Sequence, residues 1–293
     1  VVLKLAPYFR HKHVVAKEAT YRTGAPRLFE YRLSHKPIKD VPKGEVDGFI
    51  NLLFNSELSL EQVKKASKAS EEAIVFGYFN NADMIKDTLL EIERTQRVID
   101  QHTDDKVAVK ELKNIRLHQE QLLDHYIHDA LFSKNVQWIH QGKVRDKVKD
   151  ARSFNRMLSE VVTATYPATP IYKNELINRE KVSPAASTGR KKLFGLITEK
   201  WNEEDFGFAA NEFPPERAIY ATLLKENGIH REGTEGFDLF APTKDNSFHA
   251  VWECCEQFLA DSRHGRKDIN ELIERLGERP YKLKNGLIEL WVP

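Results

Sequence analysis

The chain predicts an α/β fold followed by a mostly α region, and three observations carry that expectation. Two apolar runs, residues 47–54 and 73–79, flank a capped helical segment, the pattern of a βαβ unit. Two amphipathic stretches then share a heptad spacing across a short polar link, as the arms of an antiparallel helical hairpin do. The last 120 or so residues carry helix starts and stops at serine, proline and glycine, with few alternating runs.

Residues 13–20 read as β, with a turn at Thr23-Gly24-Ala25-Pro26. Residues 27–34 then alternate Leu28, Glu30 and Arg32 against Phe29, Tyr31 and Leu33, as a half-buried strand does. A loop rich in Pro, Lys and Gly spans 36–44, and the near-continuous apolar run 47–54 suits a buried parallel strand. Ser59, with Gln62 at capping-box spacing, opens a helix that reaches about Ser70. After the strand at 73–79, residues 80–83 offer a second N-cap region for the next helix.

That helix is the first arm of the hairpin, with Ile85, Leu89, Ile92, Gln96 and Ile99 at steps of four and three. In the second arm Ala108, Leu112, Ile115, Gln119, Leu122 and Tyr126 repeat the spacing, and residues 101–105 link the two. Such a pair serves as a lever, spacer or docking arm and has no chemistry of its own. Residues 134–149 form a basic, polar stretch in which Val144 and Val148 fit a helix face or an alternation. A helix at 151–165 ends before Tyr166-Pro167-Ala168-Thr169-Pro170, which must be extended because each proline biases its predecessor away from helix.

Beyond that boundary come a helix at 174–179 and a longer one from Ser183-Pro184 to about Lys200, with serine as N-cap and proline at the first helical position. A helix at 215–227 stops at Gly228, a turn and short strand occupy 233–241, and helices follow at 247–261 and 268–276. Asn285-Gly286 marks a hairpin over 282–292, so the end reads as a winged-helix remnant. The domain layout is a β-rich α/β subdomain at 1–81, the helical hairpin at 82–133, a connector at 134–170 and a mostly helical region at 171–293.

At 293 residues, 41% hydrophobic and 30% charged, the chain has the composition of a soluble globular protein of about two domains. No apolar run approaches the roughly 20 residues that span a bilayer, so no membrane partner is expected. Residues 1–16 lack a signal-peptide layout, which makes the cytoplasm the expected location. A net charge of +1 leaves nucleic-acid binding to a local patch. The chain begins with Val and ends at Trp291-Val292-Pro293, in the manner of a piece cut from a larger protein. Its two cysteines, Cys254 and Cys255, are adjacent; strain disfavours a disulfide, and they fit a helix as small apolar side chains.

No catalytic motif stands out, and no cofactor or metal is expected. Ser187-Thr188-Gly189-Arg190-Lys191-Lys192 lacks the spacing of a phosphate-binding loop and falls inside a helix. Neither apolar strand is followed by the glycine fingerprint of a dinucleotide site. His118, His125, His128, Asp124 and Asp129 gather on the second hairpin arm without a zinc motif, and a solvated helix face accounts for them. Glu203, Glu204, Asp205 and Glu216 have no acid–base spacing, while Phe206, Phe208 and Phe213 anchor their loop. The same holds for Ser247 with His249.

The basic run 173–181, followed by a helix with Arg190, Lys191 and Lys192, is the exception. A short helix, a turn and a second helix with a cationic face would be a helix-turn-helix variant. Arg179, Lys181, Arg190, Lys191 and Lys192 are its candidate nucleic-acid contacts, with Asn174, Asn178, Ser183 and Ser187 as donors to phosphate oxygens. A plain surface helix, with Leu193, Leu196 and Ile197 inward, is the alternative.

The segment from Tyr166-Pro-Ala-Thr-Pro-Ile-Tyr-Lys-Asn-Glu-Leu-Ile-Asn-Arg to Arg190-Lys-Lys-Leu resembles an internal stretch of very large prokaryotic P-loop ATPases. Ile219-Tyr-Ala-Thr-Leu-Leu and Pro280-Tyr-Lys-Leu-Lys-Asn-Gly-Leu-Ile share the likeness, and the hairpin after a βαβ strand is similar to ATPases of BREX-type phage-resistance operons. The resemblance implies a region downstream of the ATPase core, with no nucleotide-site residue of its own. It would act as a non-catalytic scaffold or coupling region in defence against phage or foreign DNA. DNA, other domains of the parent protein and other defence proteins are then the expected partners. A nucleic-acid-binding module and a protein–protein interaction module stand as alternatives.

Overall fold

A computed structural model describes residues 12–54, 57–79, 83–209, 211–263 and 265–292. The N-cap expected at 80–83 falls largely outside these residues, as does most of the leader reading at 1–16. The fold is mixed α/β followed by mostly α, and the chain divides into two compact units. Of the described residues, one unit comprises those within 12–15 and 28–161, the other those within 16–27 and 162–292.

The first unit is built on a six-stranded sheet in sequential order. Its strands are β1 (His13–Val15), β2 (Leu28–Ser34), β3 (Val46–Leu53), β4 (Ile74–Phe79), β5 (Val136–His140) and β6 (Lys143–Val144). Strands β2, β3 and β4 run parallel, and β1, β5 and β6 extend both sides antiparallel. The apolar run expected to be a central parallel strand is β3, buried along nearly its whole length. Helix α2 (Leu60–Ala69) joins β3 to β4, and its capping box is complete: Ser59 Oγ accepts from Gln62 N, and Gln62 Oε1 accepts from Ser59 N. Val63 of α2 packs with Phe49, Leu53, Ile74, Phe76 and Ile139 to form the core on that face.

Buried Asn51 secures the helix-free β2–β3 crossing. Its Nδ2 donates to Arg32 O at 3.0 Å and to Ser34 Oγ at 2.7 Å, and its Oδ1 accepts from Ile38 N at 3.1 Å. Gly77 of β4 lies opposite Trp138, and a Cβ there would come within 2.9 Å of the indole. The glycine leaves room for that ring.

The hairpin consists of α3 (Asp83–Gln101) and α4 (Lys106–Ala130), with Asp105 capping α4 through Val107 N and Ala108 N. The expected stripe of α3 is the buried one, at Ile85, Leu89, Ile92 and Ile99. On α4 the buried side is rotated from the expected stripe. Leu123 and Ile127 are fully buried while Ile115 is 49% exposed. Polar contacts hold the middle of the seam: Arg116 donates to Gln96 Oε1, and Thr95 Oγ1 donates to Gln119 Oε1 at 3.0 Å. These bonds set which face of α4 turns inward.

Residues 134–149, read as helix or alternation, form β5 and β6 around a tight turn in which Gln141 (φ 48°) and Gly142 (φ 74°) are both left-handed. At the start of the second unit, β1 ends at Val15 and the expected continuation of the strand is helix α1 (Lys17–Thr23). Gly24, at φ 77°, closes it as a left-handed C-cap, so the glycine marks a helix end and not a turn between strands.

The second unit also holds the end of α5 (Ala151–Thr165), then α6 (Pro184–Glu199), α7 (Pro215–Tyr220) with a π-helical continuation at Ala221–Lys225, and hairpin β7 (His230–Gly233)–β8 (Gly236–Leu239). Helices α8 (His249–Ser262), α9 (Ile269–Gly277) and α10 (Asn285–Trp291) complete it. Tyr172, Ile177, Leu193, Ile219, Phe248 and Leu287 are central to its core.

Two expectations fail in this unit. Residues 174–179 are turns: Asn174 Oδ1 accepts from Leu176 N at 3.0 Å, and Asn178 Nδ2 donates to Tyr172 O at 2.7 Å, so asparagine side chains compete with the helical ladder. The expected terminal β-hairpin is helix α10, so no wing closes the chain. Leu287, Ile288 and Leu290 are buried together, a helical spacing that the Asn285-Gly286 turn signal had masked. Gly286 is there for close approach: its N donates to Arg179 O at 3.0 Å, and a Cβ would lie 2.3 Å from Ile177 O.

Candidate functional site

The basic segment is displayed on α6 and the turn before it. Ser183 Oγ accepts from Ala186 N at 3.3 Å, and Pro184 fills the first helical position, so the expected start of α6 is in place. Leu193 packs inward and Leu196 and Ile197 are half-buried. Arg179, Lys181, Lys191 and Lys192 are exposed, and Arg190 is half-buried.

The five candidate cations do not form one uncommitted patch. Arg190 pairs with Glu289 of α10, and Lys192 Nζ lies 3.2 Å from Oε1 of the nearly buried Glu216. The carboxylates offset much of the charge that α6 would offer a phosphate chain. Asn174 and Asn178 are buried, and the Nδ2 of Asn174 donates to Thr222 Oγ1 at 2.9 Å. These amides hold the turn together. Ser183 is occupied as the cap, leaving Ser187 half-buried on the first turns of α6.

On the hairpin, His125 Nε2 lies 3.1 Å from Asp129 Oδ2, both largely exposed. Among the described residues no three His, Cys, Asp or Glu side chains gather into a group that could hold a metal ion. Apolar side chains remain on the outer faces, with Ile115 and Leu117 half exposed on α4 and Leu90 and Val98 on α3.

The acidic loop of the second unit contains a polar chain that sequence reasoning missed. Asp205 and Phe206 both adopt left-handed backbone (φ 48° and 52°), costing of order 1 kcal/mol each. Phe206 is buried against Tyr220 and His230, with ring centroids 4.6 and 4.4 Å away. The His230 ring bridges Tyr220 Oη and Trp201 O, each at 2.8 Å. A carbonyl only accepts, so Nε2 of His230 donates to Trp201 O. Tyr220 Oη donates to Asp205 Oδ1 at 3.2 Å. Burial opposes ionisation of Asp205, but Lys225 Nζ at 2.5 and 2.7 Å from its oxygens outweighs that and holds the carboxyl below the usual range. Tyr220 and His230 are 2–3% exposed, so this chain anchors the strained turn from within the core. The only signal in the sequence was the acidic cluster beside three phenylalanines.

Cys254 is buried in α8 and Cys255 half-buried, both as free thiols. Burial pushes Cys255 up to about 11, so it stays protonated at neutral pH and is a poor nucleophile. It borders an apolar cavity of about 570 Å³ together with Phe194, Leu223, Trp252, Leu259 and Trp291.

Among the described residues, no helix is long and apolar enough to cross a membrane. No protein-family model matches the chain, and no curated protein or solved structure matches it.

Proposed function

We propose that the chain is a non-catalytic scaffold or coupling region of a large prokaryotic P-loop ATPase that acts against phage or foreign DNA in the cytoplasm. The observation that carries the reading is the α3–α4 hairpin. Two helices of 19 and 25 residues are joined by a short capped link, closed along an apolar seam and cross-bonded at its middle. Such a strut transmits position with little internal play, because bending it would break packed side chains and hydrogen bonds together. Its outer faces keep Leu90, Val98, Ile115 and Leu117 accessible to a partner.

The resemblance to BREX-type ATPases supports the context. Its three stretches, far apart in sequence, pack on one another within the second unit. Thr169 Oγ1 donates to Tyr281 O at 2.7 Å, Asn174 Nδ2 to Thr222 Oγ1 at 2.9 Å, and Gly286 N to Arg179 O at 3.0 Å.

The test is Ile115→Glu with Leu117→Glu, introduced into the parent assembly. Both side chains are half exposed, so the helical circular dichroism should be retained. The reading expects protection against phage to fall to that of unprotected cells while ATP turnover persists. Undiminished protection would remove the docking-arm reading.

A further inference from the structure

We infer that the second unit contains a binding pocket for a small amphiphilic amine, an apolar organic molecule with one cationic head, apart from both the hairpin and the basic face of α6. The site is the cavity of about 570 Å³ that Cys255 borders, enclosed by α6, the π-helical continuation of α7, β8, α8 and α10. That volume falls in the usual range of small-molecule sites, roughly 300–1,000 Å³.

The lining is graded from floor to mouth. Leu193, Leu223, Leu224, Ile229 and Leu290 are all buried and make an apolar floor. Leu239 and Leu259, 36% and 64% exposed, continue it out to the surface, where water meets hydrocarbon that a ligand would cover. Thr198 supplies the one hydroxyl among the described lining residues, and its Oγ1 already donates to Gly195 O at 2.8 Å. The interior therefore offers a ligand hydrocarbon contact and little else.

An aromatic wall and one carboxylate decide the sign of the charge it takes. Phe194, Trp252 and Trp291 line the cavity, and the two indoles meet edge to face with centroids 6.3 Å apart. Trp291 is held in place, stacked on buried Phe248 at 5.1 Å and hydrogen-bonded to Cys255, so this wall is preformed. Aromatic faces carry a negative potential that attracts cations. Glu256 is the only charged side chain among the described lining residues, and it is exposed. No ion pair or hydrogen bond engages its carboxylate among the described residues, and no Lys, Arg or His lines the cavity there.

The ligand class follows from these two halves. A carboxylate at the mouth with no cation in the lining repels an anionic head such as a fatty acid's and favours an ammonium. The aromatic rings beside it add to that preference. The floor takes a hydrocarbon body, and each CH₂ buried there tightens binding about fourfold. An amine with an alkyl or aryl body satisfies both the charge and the apolar lining.

The test uses the full chain and follows tryptophan fluorescence during titration, below micelle formation, with decylamine, decanol and decanoate, three probes that share a tail and differ in the head. Two of the four tryptophans, Trp252 and Trp291, line the cavity and report on it. The pocket predicts saturable one-to-one binding of decylamine, roughly three- to fivefold tighter than decanol, with decanoate weakest. Octylamine should bind about tenfold more weakly than decylamine. Glu256→Lys should reverse the order of amine and carboxylate and leave decanol unchanged. The position is exposed, so the variant should keep its circular dichroism and melting temperature. Absence of saturable decylamine binding, equal affinity for amine and carboxylate, or an unchanged order in the variant would overturn the inference. Concentration-dependent self-association that decanol reverses would also overturn it and give the cavity to a second copy of the chain.

Discussion

At the scale of single residues, this chain spends its buried polar groups on holding irregular backbone in place. Asn51, Asn174 and Asn178 bind loops and turns, and Asp205 stabilises two consecutive left-handed residues. The Asp205–Lys225 pair has a consequence for stability against pH. A carboxyl whose folded-state pKa is depressed contributes in full above its unfolded value of about 3.9 and loses that contribution as pH falls through the folded value. Lys225 is half exposed, so the pair is worth about 1 kcal/mol at most. Asp205→Asn should therefore lower the urea midpoint at neutral pH, and the gap from the parent should close in acid. A gap that stays constant into strong acid would show that the carboxylate charge contributes nothing.

At the scale of elements, close approach governs more than propensity does. The α10 start lies against the 177–179 turn with only a glycine between them. Gly286→Ala should cost roughly 1–3 kcal/mol through overpacking, since its Cβ would press on two carbonyl oxygens that cannot move without breaking the turn. Chemical denaturation measures this directly, and an unchanged midpoint would mean the packing there is slack. The two left-handed residues at 141–142 and the glycine cap at 24 show the same dependence on local backbone. In the sequence, Asn285-Gly286 and Thr23-Gly24 are equivalent turn signals. They serve a helix start and a helix end, and only the surrounding packing separates the two uses.

At the scale of the whole molecule, charge decides which nucleic-acid reading survives. The formal net charge is +1, and Glu216 and Glu289 occupy two of the three α6 cations. A nucleic-acid face, the alternative to the scaffold reading, would draw on Arg179 and Lys191, which are exposed and lie outside those two ion pairs. Arg179→Glu with Lys191→Glu should then reduce DNA affinity measured at low salt. The salt dependence should flatten by about one unit of slope for each phosphate no longer neutralised. Unchanged affinity and slope would dismiss the basic segment as a DNA-binding face. The core of the second unit would be unaffected, because both side chains are exposed.

The sequence by itself determined the long elements: the buried parallel strand β3, the capped helix α2, the helical hairpin and the serine–proline start of α6. Each is written locally, in apolar period or in a cap a few residues wide, and needs no distant partner to be read. Tertiary structure alone decided the inward face of α4, the helical state of 285–291, and the pairing of Arg190 with Glu289 and of Lys192 with Glu216. It also gathered Phe194, Trp252, Glu256 and Trp291 around one cavity, although they come from three helices far apart in the chain. Hydrogen bonds and ion pairs between such distant segments leave no period in the sequence, because their partners meet only once the intervening chain has packed.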